Sequence, residues 1–184
     1  PEMSKQEATR YRGVCATLNY LSQDRPDISF AAKEASRRMA VPHEADWAML
    51  KKIGRYLRHA PRVCQLFQWQ VMSSNIKTYT DSDWAGCKAS CKSTSAGVVT
   101  FGSHTLKAWS STQSVIALSS AEAELYAMVK GASQTLGMMT MAVDFGFKLD
   151  GKVDSDASAA IAIVHRHGLG KLRHINFQYL WLQD

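Results

Sequence analysis

The chain of 184 residues lacks any uninterrupted apolar run near the roughly 18 residues that a membrane span requires. It also lacks a basic stretch followed by an apolar one at its start, so neither a membrane anchor nor a secretory leader is read, and an intracellular protein is expected. Cysteine is scarce: Cys15, Cys64, Cys87 and Cys91 stand at spacings that suggest no disulfide ladder. Cys87 and Cys91 could form half of a zinc site, but no second Cys/His pair follows at finger spacing, which leaves reduced thiols as the reading. Acidic residues are in deficit as well, 16 against 22 Lys/Arg, for a net charge of +6. That excess is uneven. Residues 1–62 hold 12 Lys/Arg against 7 Asp/Glu, a balance of +5, and residues 63–184 hold 10 against 9.

What is present fits a folded soluble chain. With 46% hydrophobic and 21% charged residues, the length suits one domain, or one domain with an appended subdomain. The first third reads as helical. One helix is predicted over Glu7 to Ser22, a second over Pro26 to Met39 and a third over Glu44 to His59, because Pro26 and Pro61 interrupt the helical period. In the third, Trp47, Leu50, Ile53, Gly54 and Leu57 share one face. Lys51, Arg55, Arg58 and Arg62 form a stripe about a quarter-turn away. The stripe is either an ordinary solvated face or a set of phosphate contacts.

After Pro61 the period changes. Cys64–Val71, Ile76–Ser82, Ala96–Gly102 and Thr105–Ser111 are short, rich in β-branched or aromatic residues, and predicted as consecutive antiparallel strands. A long helix follows, with Ser119 or Ser120 as N-cap and Glu122 and Glu124 near its start. "GKVDSD" reads as a further strand, "ASAAIAIVHRHG" as a helix ending near Gly168, and "HINFQYLWLQD" as a last helix. Trp84 and Trp109 are expected in the core.

Three acidic residues occupy corresponding places in this plan. Asp81 lies near the end of a strand, Glu124 in the first turns of the long helix, and Asp156 at the junction from strand to helix. Singly, each has a plain explanation as a turn, first-turn or N-cap residue. Together they have a chemical one. Phosphodiester cleavage by paired divalent ions about 3.5–4 Å apart needs several anionic oxygens, and carboxylates from separate elements supply them.

The runs "YTDSDWAG", "CKSTSAGVVTFG", "KAWSSTQSVIALSSAEAELYA" and "DSDASAAI" resemble, in that order, the ribonuclease H domain of copia-type LTR retrotransposon polyproteins. The front third, including "NYLSQDRPDISFA" and "LKKIGRYLR", is similar to the connection that follows the polymerase palm in those polyproteins. The resemblance spans roughly residues 10–184. It implies an α/β fold, a ribonuclease H-like mixed sheet with flanking helices, five-stranded in the full family and preceded by a small helical connection. The division would be 1–62 for the connection and 63–184 for the ribonuclease H-like domain.

The same resemblance implies metal-dependent endonucleolytic hydrolysis of the RNA strand of RNA–DNA hybrids during reverse transcription. Asp81, Glu124 and Asp156 would be the catalytic metal ligands for two Mg²⁺ ions, with Mn²⁺ as substitute, one ion activating water and the other stabilising the leaving 3′ oxygen. Asp83, Glu122 and Asp154 would be neighbours that raise the local negative potential, and Asp83 would support the turn. Lys51, Arg55, Arg58 and Arg62 would bind nucleic acid. The implied partners are the hybrid and the reverse transcriptase portion of the same polyprotein, with no membrane, and the implied place is a cytoplasmic virus-like particle. The family's fourth carboxylate, in an "AD" pair on a later helix, has no counterpart up to Asp184, so the domain is expected to be truncated at its C-terminal end. "HIN" at His174–Asn176 stands where many relatives have "HID", and Asn176 remains a competent N-cap. His165, His167 and His174 are either surface residues or proton carriers during product release. The alternative function is a catalytically incomplete nucleic-acid-binding module, or a relic of a degraded element.

Overall fold

The computed structural model describes residues 1–168, 170 and 174–183. The chain divides into two compact units, Pro1–Leu66 and Phe67–Asp184.

The first unit is helical: α1 (Lys5–Leu21), α2 (Ser29–Ser36) and α3 (Trp47–His59). A capping box starts α1, in which Ser4 Oγ accepts from Glu7 N–H and the Glu7 carboxylate accepts from Ser4 N–H. The single helix expected over Pro26 to Met39 is shorter. A 3₁₀ turn at Pro26–Ile28 opens it, and beyond Ser36 the N–H groups of Arg38 and Met39 bond three residues back, to Ala35 and Ser36, which tightens the chain out of the helix. Tyr11, Cys15, Ile28, Ala32, Leu50 and Ile53 form the core, and the Tyr11 hydroxyl donates to Ala35 O at 2.9 Å. Gly54, expected on the packed face of α3, is exposed with nothing near it. Arg25 is buried and bonds to Ala60 O at 2.9 Å, closing the end of α3, while its other side grips Asp27.

The second unit is built on β1 (Asn75–Asp83), β2 (Thr94–Phe101), β3 (His104–Thr112) and β4 (Asp150–Asp154), with α4 (Ser120–Asp144) and α5 (Ser158–Val164). The sheet order is β3-β2-β1-β4, antiparallel except for the parallel pair β1/β4, and α4 carries the chain across the sheet from β3 to β4. This mixed α/β plan agrees with the ribonuclease H-like fold class expected. Along β1 the residues Ile76, Thr78 and Thr80 alternate inward. Thr78 hydrogen-bonds Thr135 of α4 at 2.6 Å. Helix and strand approach closely because residue 131 is glycine: a Cβ there would lie 2.3 Å from Thr80 Cγ2.

Three expectations are corrected. Cys64–Val71 is not a strand, since it pairs with no ladder; Gln70 instead bonds through its side chain to Phe101 O and Ser103 N, and Trp69 is 91% exposed. "HINFQYLWLQD" forms two 3₁₀ turns, Phe177–Tyr179 and Trp181–Gln183, although Asn176 Oδ1 does accept from Gln178 N–H as a cap would. Trp84 is half exposed rather than core, held by its indole N–H donating to Ala117 O at 3.0 Å. Among the described residues, no helix is long and apolar enough to cross a membrane.

Candidate metal centre

Strand register sets the first pair of carboxylates. β1 and β4 run parallel with Tyr79 opposite Asp154. Two residues further on, Asp81 and Asp156 therefore reach the same end of the sheet, on the same side. The third comes from the helix that crosses over. Ser119 caps α4 by accepting from Glu122 N–H, which fixes where its first turns begin and brings Glu124 to the sheet end. One ligand oxygen from each of Asp81, Glu124 and Asp156 lies within 4.8 Å of the others.

Their surroundings differ. Asp81 and Asp156 are exposed, and Glu124 is buried at 8% exposure. Glu124 Oε1 accepts from Ser82 N–H at 3.1 Å and from Ser82 Oγ at 2.9 Å. Its Oε2 is buried with no hydrogen-bond donor among the described residues. Burial holds the Glu124 carboxyl above the usual carboxylate range, the Ser82 bonds pull it back, and the charges of Asp81 and Asp156 push it up again. Such a site is short of positive charge. It can take a cation through hard oxygen ligands.

No protein-family model matches the chain. Its curated relatives include the retrovirus-related Pol polyprotein from transposon RE1 of Arabidopsis thaliana, 33% identical over 143 residues that make up 78% of this chain and 10% of that protein. The corresponding polyprotein from transposon RE2 of the same plant is 31% identical over 143 residues, with 78% of this chain and 10% of that protein covered. That from transposon TNT 1-94 of Nicotiana tabacum is 28% identical over 177 residues, 95% of this chain and 13% of the other. The chain is a relative of transposon Pol polyproteins. It spans about a tenth of the length of the curated relatives named here.

In this Pol-related chain the other candidate residues have separate partners. Glu122, two positions before Glu124, is buried and accepts from Leu118 N–H, the Tyr126 hydroxyl and His174 Nε2. Burial pushes its carboxyl up, but those bonds outweigh it and leave the group below the usual range. Asp154 pairs with Lys77 at 2.6 Å. Asp83 folds over the turn that follows β1, where a Cβ on Gly86 would lie 1.7 Å from its Oδ2. A side chain at residue 86 would displace that carboxylate. His174 is engaged by Glu122, and His165 and His167 are exposed.

On α3 of the Pol-related chain, Lys51, Arg55 and Arg58 are exposed opposite buried Leu50 and Ile53, and Arg62 is also exposed but lies beyond the helix end at His59. Among the described residues, none of the four pairs with an acid. None of the four cysteines forms a disulfide, and Cys91 N–H donates to Cys87 O in a turn. Among the described residues, the only group of three or more close metal-type ligands is Asp81, Glu124 and Asp156.

Two features escape sequence reading. Ser82 carries no signal of its own between the two aspartates, although its alternation with Thr78 and Thr80 places it on the α4 side. The Glu122–Tyr126–His174 cluster joins residues 52 apart and carries no local signal.

Proposed function

We propose that the Phe67–Asp184 unit hydrolyses the RNA strand of RNA–DNA hybrids in a metal-dependent reaction, within a retroelement polyprotein. The observation that carries this reading is the meeting of Asp81, Glu124 and Asp156, whose ligand oxygens lie within 4.8 Å. The unpartnered buried Glu124 Oε2 and the all-carboxylate donor set fit Mg²⁺ or Mn²⁺. Asp81, Glu124 and Asp156 would hold the metal, which when bound supplies Lewis-acid stabilisation of phosphoryl oxygens and lowers the pKa of water. Ser82 fixes Glu124 by binding one of its oxygens and leaving the other for a ligand. Exposure of Asp81 and Asp156 leaves the sheet end open to a polymer. Choice of RNA over DNA rests on the 2′-hydroxyl, the group that distinguishes them. The relation to transposon Pol polyproteins supports the retroelement setting, and the implied partners are the hybrid and the reverse transcriptase portion of the same polyprotein.

We assign Lys51, Arg55, Arg58 and Arg62 to contact with nucleic-acid phosphates. Replacing Lys51 and Arg55 by Ala is expected to weaken hybrid binding and to flatten its dependence on log salt by about one unit of slope per lost contact.

The deciding experiment incubates the chain with end-labelled RNA in an RNA–DNA hybrid, in an RNA duplex and as a single strand, with Mg²⁺, Mn²⁺ or EDTA. Cleavage of the hybrid RNA alone, dependent on metal and absent in Asp81→Asn, is the expected outcome. A folded chain that binds hybrid and cuts nothing with either metal would make it a binding module instead.

A further inference from the structure

The side of α4 turned away from the carboxylates carries a second set of groups. At 3.6 residues per turn, Tyr126, Lys130 and Ser133 fall opposite Glu124, Gly131 and Thr135. With the end of β3 and the last 3₁₀ turns they line a cleft of about 680 Å³, in the size range of small-molecule sites.

Positive charge in this cleft lacks compensation. Lys130 Nζ donates to Ser111 Oγ, and nearby Lys107 Nζ donates to Gln134 Oε1 at 2.6 Å. Among the described residues, neither lysine has a carboxylate partner. Burial, and then the charge of Lys107, lower the pKa of Lys130, as befits an ammonium group short of an anion.

A second observation is independent of the lysines. Gln113, 7% exposed, lines the cleft and donates through Nε2 to Ser95 Oγ and Ala123 O, at 2.9 Å and 2.8 Å. Among the described residues its buried Oε1 has no donor, and the buried Thr112 Oγ1 beside it has no partner. An unpaired buried carbonyl is costly to the fold, and a ligand that donates a hydrogen bond relieves it. Inorganic phosphate alone makes little use of the rest of the cleft, which carries Trp181 at 38% exposure and the packed rings of Tyr126 and Tyr179.

We propose that this cleft binds a nucleotide, its phosphate on Lys130 and Lys107, a base or sugar N–H or O–H on Gln113 Oε1, and its base against Trp181. The site is separate from the carboxylate triad and does not depend on the triad's function. Base stacking on an aromatic side chain and a hydrogen bond to a charged group each add to the affinity for such a ligand.

Calorimetric titration of the whole chain with 5′-AMP, in EDTA so that metal plays no part, tests this. Binding is expected in the wild type and in Asp81→Asn alike. Lys130→Met should weaken it about tenfold or more, equivalent to a lost charge-assisted bond, while Lys130→Arg retains it. Adenosine should bind more weakly than AMP, and inorganic phosphate more weakly still. Competition by a single-stranded oligonucleotide would put the bound nucleotide within a strand, and absence of competition would make it a free one. No AMP binding at about millimolar concentration overturns the proposal. So does equal binding by Lys130→Met with an unchanged melting temperature, or loss of AMP binding in Asp81→Asn, which would assign the nucleotide to the triad.

Discussion

Glu122 and Glu124 are both buried, stand two residues apart on one helix, and live in opposite electrostatic worlds. Glu122 has donors on both oxygens, from Leu118, Tyr126 and His174, and its pKa is lowered. Glu124 has donors on one oxygen only, two aspartates beside it, and a raised pKa. A carboxylate kept for structure is saturated with hydrogen bonds, whereas one left short of them, among like charges, is held in place by the fold against its own preference. Burial alone does not separate the two. Partner count does.

The sharpest way to break that contrast is to neutralise each glutamate in turn. Glu124→Gln removes a negative charge from the triad and is expected to cut metal-dependent cleavage of hybrid RNA at least a hundredfold, about 3 kcal/mol of transition-state stabilisation. Glu122→Gln should leave cleavage by the folded fraction within a few-fold of wild type. Equal loss of activity in both, at matched folded fraction, would erase the distinction.

Stability should rank the positions the other way. Glu122→Gln replaces one acceptor by an N–H₂ group, so either the Tyr126 hydroxyl or the pair Leu118 N–H and His174 loses its acceptor. A cost of about 1–3 kcal/mol in urea unfolding is expected. Glu124→Gln relieves like-charge crowding and is expected to leave stability unchanged or raised. Between the two helix faces, Gly131→Ala places a methyl 2.3 Å from Thr80 Cγ2. The resulting shift of α4 from β1 should cost about 1–3 kcal/mol and loosen the Ser82–Glu124 bonds as well.

Much of this arrangement is legible in the sequence, and the reasons for the exceptions are physical. The β-branched and aromatic residues of β1, β2 and β3 and the Ser119 cap mark their elements locally, so Asp81, Glu124 and Asp156 could be placed at element ends. Their meeting depends on β1/β4 register and on Gly131, which are tertiary. Cys64–Val71 has a strand's composition but pairs with no ladder, so its composition misleads. Glu122 looks as functional as Glu124 in "AEAELYA", because what distinguishes them is Tyr126 one turn on and His174 far along the chain. Trp84 reads as core by residue type, yet it serves by its indole N–H at a turn.

The smallest effect is the pH dependence, and it opposes the two glutamates by sign. A carboxyl with a raised folded-state pKa binds its proton more tightly folded than unfolded, so its contribution is full below the unfolded value near 4.5 and is lost as pH rises through the folded one. Glu124 therefore weakens the fold on going from acid to neutral pH. Glu122, with a lowered pKa, does the reverse: its contribution is present above the unfolded value near 4.5 and is lost as pH falls through the folded one. Unfolding free energies measured between about pH 3 and 8 should show Glu124→Gln gaining on wild type as pH rises, and Glu122→Gln losing ground over a lower range. Adding Mg²⁺ at pH 8 should close the first gap, because an ion held by Asp81, Glu124 and Asp156 stabilises the folded state by mass action. It should leave the second untouched. A wild-type protein with no Mg²⁺-dependent stabilisation at any pH would return Glu124 to the same class as Glu122.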